Sequence, residues 1–75
     1  MCLAIPSQVV SLNGAIATVE CFGVRRDVSV VLMTEDVAVG DYLAILANAY
    51  AVEKIAPDEA RESLAFFAGV LADQQ

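Results

Sequence analysis

Two hydrophobic rhythms divide the chain. Up to about residue 55, apolar residues come in short runs broken by turn chemistry; beyond it they recur at helical spacing. Ile5 to Leu12 reads as a first strand, followed by Asn13-Gly14. Asn-Gly is the strongest short hairpin signal, because both central residues of a type I′ turn need positive φ. The return strand is Ala15 to Cys21, with Ala17, Val19 and Cys21 on one face and Ile16, Thr18 and Glu20 on the other. Phe22-Gly23 marks a break. A third strand is expected from Val24 to Leu32, polar early and apolar late, passing from a rim into the core. Met33 to Gly40 is acidic and turn-like. Tyr42 to Val52 is apolar but interrupted at Asn48, so it reads as two strands or one bulged strand continuing towards Ile55. Short strands at this spacing predict a small closed or nearly closed barrel.

The tail changes period. Pro57 suits a first helical turn, where its missing N–H costs nothing. Asp58 and Glu59 place negative charge at the positive helix end. Ala60, Leu64, Phe67 and Leu71 then fall on one stripe. The helix is expected over about 57–72, with Phe67 and Leu71 packed on the barrel or on a partner. Phe66 lies off that stripe and reads equally as a second core anchor or an exposed contact.

The chain has 75 residues. The fold class is therefore mainly β: one domain over 1–75, with a small barrel over about 3–55 and a C-terminal helix. A core of this size supplies only about 3–5 kcal/mol. A hydrophobic fraction of 59% exceeds what such a core needs and points to a partner-facing patch, for a homo-oligomer or a different protein.

Net charge is −6, with Arg25, Arg26, Lys54 and Arg61 as the basic residues. That balance argues against nucleic acid and against anionic membrane surfaces. A nucleic-acid-binding barrel would need aromatics on a basic groove. No apolar run reaches the roughly 18 residues of a membrane span, and no signal peptide is visible. A cytoplasmic setting with free thiols is expected. Histidine is absent, which removes Cys–His and Ser–His catalysis and the commonest zinc ligand. No Gly-rich phosphate loop is present. Nothing in the residues makes a case for an enzyme.

The candidate chemistry is sulfur. Cys2 lies in the opening stretch MCLAIP. Removal of Met1 would leave an amine beside the thiol, favouring the thiolate and offering a chelate to a soft metal. Pro6 fixes its own φ, biases Ile5 to extended geometry and cannot donate to a ladder. The expected result is a short stiff arm ending in sulfur. Position alone leaves Cys2 open between an incidental residue and a functional one. Cys21 shares a face with Ala17 and Val19 and reads as a small core hydrophobe. A Cys2–Cys21 disulfide, or a redox pair, would require Cα atoms roughly 4.4–6.8 Å apart. Arg25, Arg26 and Asp27 read first as a solvated strand end; the alternatives are an arginine pairing with Asp27 or Asp41, or contacting an acidic partner.

MCLAIP ahead of an apolar strand, GVRRDV about twenty residues on, VGDY, and a helix containing DEARESL together resemble the HypC/HupF/HybG family of nickel–iron hydrogenase maturation chaperones. The resemblance spans essentially the whole chain. It implies an OB-like barrel with a C-terminal helix. It implies no catalysis but a carrier role, binding the hydrogenase large-subunit precursor and the iron–sulfur scaffold protein HypD. The implied cargo is iron as the Fe(CN)2CO group, held transiently through the cysteine after the initiator methionine, here Cys2. One departure stands out: Leu46 occupies about the place of a family histidine, in a segment one residue longer. Asn48 and Tyr50 are the substitute polar groups nearby. The departure opens a second reading, a paralogue guarding one precursor without carrying iron.

Overall fold

The computed structural model describes residues 5–73, with side chains through residue 70. Five strands form a closed barrel: β1 (Ser7–Asn13), β2 (Ile16–Cys21), β3 (Val24–Ser29), β4 (Tyr42–Leu46) and β5 (Tyr50–Ile55). Their order around the barrel is β1-β2-β3-β5-β4, and β1 pairs with β4 to close it. All neighbours are antiparallel except β3 and β5, which pair in parallel at Ser29 and Tyr50. One helix, α1 (Pro57–Asp73), follows. This is the mainly β closed barrel with a C-terminal helix that the residue pattern implies, and its OB-like form is what the family resemblance implies.

The turns differ in register from expectation. Asn13 pairs with Ile16, so the central residues of the first hairpin are Gly14 and Ala15. Only Gly14 has positive φ there, 62°, which is the II′ pattern with glycine first. The type I′ geometry appears instead between β2 and β3, where Phe22 (φ 51°) and Gly23 (φ 83°) join Cys21 to its partner Val24. The third strand ends at Ser29 rather than Leu32. The Ser29 hydroxyl accepts a hydrogen bond from the Val31 N–H, which turns the chain away and leaves Val31 and Leu32 exposed.

Two irregularities bend the strands enough to close the barrel. Val10 is an extra residue in β1, between the pairs Val9–Val19 and Ser11–Thr18. Val52 is an extra residue in β5, opposite the Ala44–Ile45 step. Bulges raise local twist and redirect a strand. The expected break at Asn48 is real. Ala47 and Asn48 both have positive φ, and Ala49 N–H donates to Leu46 C=O, making a tight turn between two strands.

Inside the barrel lie Val9, Ala17, Val19, Val28, Leu43 and Ala51, with Val30, Met33, Val37 and Ile45 packed partly against them. The helix touches this body mainly at its first turn. Ala60 is fully buried, Leu64 and Phe67 are half-buried, and Phe66 is 66% exposed. Phe66 and Phe67 meet edge-on with centroids 5.3 Å apart. Among the described residues no strand packs extensively along α1, and the molecule is elongated, 38 × 22 × 21 Å. The stripe therefore holds at its start, while the expected packing of Phe67 on the barrel is only partial. The Leu71 side chain is outside the described residues.

Candidate functional site

One mouth of the barrel is where β1 begins, β2 ends and β4 turns into β5. Ile5, Ser7, Cys21, Arg26, Ile45 and Asn48 line a cleft of about 260 Å³ there. The cleft is smaller than the 300–1,000 Å³ usual for drug-sized ligands. Its construction follows from strand alternation. Val19 pairs with Arg26 and Cys21 with Val24, so Cys21 and Arg26 continue the inward faces of β2 and β3 beyond the core. Ser7 does the same on β1, two residues before the buried Val9, and is itself only 7% exposed. Pro6 is fully buried, so the chain leaves β1 towards residue 5 from a fixed point beside the cleft.

Cys21 is a free thiol, half-buried at the mouth. That corrects the reading of Cys21 as core filler: it has the right face but sits one step past the closed interior. Burial pushes its pKa up, and the Arg26 charge and the Ser7 hydroxyl oppose that rise. The thiol is thus neutral at rest, with two groups in place to favour the thiolate.

The charged residues pair differently from expectation. Arg25 is held by Glu20 at 3.2 Å, on the outer face where the two are cross-strand partners. Asp27 accepts from the Thr18 hydroxyl at 2.7 Å. Asp41 takes Lys54, at 3.2 Å, rather than an arginine. Arg26 forms no ion pair among the described residues. Asp41 Oδ2 also accepts from the Ala38 N–H at 2.9 Å, and these hydrogen bonds hold its carboxyl below the usual carboxylate range.

Of the candidate residues, Asn48 lines the cleft. Tyr50 does not; it pairs with Leu46 and with Ser29 and is exposed. Leu46 is 56% exposed. Cys2 lies outside the described residues. Arg26 and Ser7 are the residues that reading along the chain missed. The signal for Arg26 was present: the alternation Val24, Arg26, Val28 puts an arginine on the face that carries core residues. No group of three or more metal-ligating side chains occurs among the described residues, and no helix there is long and apolar enough to cross a membrane.

A closed five-stranded barrel with a small cleft of mixed apolar and polar lining at one mouth is an OB-type architecture. The family model described as HupF/HypC family matches residues 1–67, and the chain belongs to that family. Three relatives named hydrogenase maturation factor HypC are similar to it. That of Helicobacter hepaticus is 41% identical over 76 residues, covering all of this chain and 87% of the relative. That of Cupriavidus necator is 45% identical over 69 residues, covering 91% and 74%. That of Rhizobium leguminosarum is 48% identical over 66 residues, covering 87% and 85%.

Proposed function

We propose that the chain is a hydrogenase maturation chaperone that engages the large-subunit precursor and a HypD-type iron–sulfur scaffold through Cys2, and helps deliver iron as the Fe(CN)2CO group. One observation carries this reading: the family match includes the opening MCLAIP stretch and runs on through the barrel into the helix. The geometry is compatible. Pro6 is buried and its neighbour Ile5 lines the small cleft at the barrel mouth. Thiolate is a suitable ligand for a soft-ligand iron, and the chaperone's part is to hold and hand over rather than to transform. The exposed apolar residues, Phe66 and Val70 on α1 among them, give a partner surface to grip.

The test is co-purification of precursor and scaffold on tagged wild type and on Cys2→Ala. Retention should fall at least about tenfold in the variant, since a central anchoring side chain commonly contributes 2 kcal/mol or more. Equal retention would remove Cys2 from the role.

A further inference from the structure

The helix α1 has a second face that the barrel does not use. Ala60, Leu64 and Phe67 carry its buried side. Glu59, Glu62, Phe66 and Val70 follow at steps of three and four on a stripe about a third of a turn away. Phe66 is 66% exposed and Val70 38%. Gly69 lies beside Phe66 on the same face. Its φ is not positive, and a Cβ added to it would meet no atom within 4 Å. Nothing among the described residues therefore requires glycine there, although glycine is the poorest helix former apart from proline. Such a residue suits a face that another backbone approaches closely.

Charge says what kind of backbone. Glu59 and Glu62 form no ion pair among the described residues. The last turn of α1 carries no basic residue to meet the negative helix end. Arg61, the helix's own cation, lies roughly 140° round from Phe66. The apolar stripe is thus framed by carboxylates at one end and a bare negative dipole at the other, in a chain of net charge −6. Two copies of this face, docked in either direction, would set like charge against like.

We propose that this face receives a basic amphipathic helix of a maturation partner. Apolar residues of that helix meet Phe66 and Val70 across Gly69, and its lysines or arginines meet Glu59, Glu62 and the negative end of α1. The proposal rests on the function proposed above, which supplies the partner.

The test is the affinity of the whole chain for the purified large-subunit precursor and, separately, for the purified iron–sulfur scaffold, at low and at high salt. Gly69→Leu blocks the close approach where the free chain has open space. It should weaken at least one of the two complexes by about tenfold or more, without lowering the Tm of the free chain. Glu59→Gln with Glu62→Gln should weaken the same complex and flatten its salt dependence, whereas Arg61→Gln should leave it unchanged. Wild-type affinity of Gly69→Leu for both partners, with Cys2→Ala still impaired, would overturn this docking face and leave the maturation role standing. A wild type that binds neither partner would overturn both. An unaltered salt dependence in the double variant would overturn the basic character of the occupant. A dimer of the wild type that Gly69→Leu abolishes in sedimentation would assign the face to a second copy and overturn the proposal, as would wild-type binding to phosphatidylcholine vesicles that the same substitution removes.

Discussion

Phe22 is a bulky aromatic held at φ 51°, a left-handed conformation that L side chains adopt at a cost of roughly 1–2 kcal/mol. It is 45% exposed, so packing does not repay much of that cost within this chain. Its position is nonetheless consequential, because the Phe22-Gly23 turn fixes Cys21 opposite Val24 and so sets where the thiol meets the cleft. Asparagine tolerates this conformation far better. Phe22→Asn is therefore expected to stabilise the fold by about 1 kcal/mol, raising Tm by about 4–8 °C for a domain of this size. A calorimetric scan checks it, and a lowered Tm would show that the ring packs where the strain argument gives it nothing. Retention of a strained aromatic at the surface is the kind of local cost that a partner contact can offset.

The stretch VGDY works as a brace between elements. Gly40, at φ 98°, lets its N–H reach Val9 C=O while Val9 N–H donates to Asp41 C=O, tying β1 to the entry of β4. Asp41 then caps its own turn: its carboxylate accepts from Ala38 N–H, its N–H donates to Ala38 C=O, and Lys54 from β5 pairs with it. Because the folded-state pKa of Asp41 is depressed, its contribution is present above the ordinary carboxylate value of about 3.9 and fades as pH falls through the lower folded value. Asp41→Ala should cost about 1 kcal/mol at pH 7, a gap that narrows below about pH 4. Urea unfolding of both proteins at pH 7 and pH 3 measures it; a gap of constant size would detach the brace from the charge.

Much of this element scale was legible along the chain. Alternation in Ala17, Val19 and Cys21 announced a strand, and Pro57 with two acids announced the helix start. Turn register was not legible: Asn13-Gly14 carries the stronger local signal, yet pairing of Leu12 with Ala17 in the closed barrel moves the hairpin centre on by one residue. The cleft was out of reach for a different reason. Ser7, Cys21, Arg26 and Asn48 come from four separate stretches, and only barrel closure brings them to one mouth.

At the scale of the whole molecule, the barrel and the helix divide the work. The barrel buries a small core of valine, alanine and one leucine, enough for a domain of marginal stability. The helix extends from it with Phe66 and Val70 open to solvent, and Ile16, Leu46, Tyr50 and Val52 leave further apolar surface on the barrel's outside. Exposed apolar area of this kind is the surface through which the proposed chaperone role would engage its partners.

The central claim is that such a body carries iron on the sulfur of Cys2 for delivery to a hydrogenase. The most direct measurement is iron content and infrared absorption of the protein purified anaerobically from cells assembling a nickel–iron hydrogenase. The account predicts iron with cyanide and carbonyl stretching bands in the wild type, and neither in Cys2→Ala. Bands of equal strength in both, or a wild type that retains its partners but never carries iron, would contradict it.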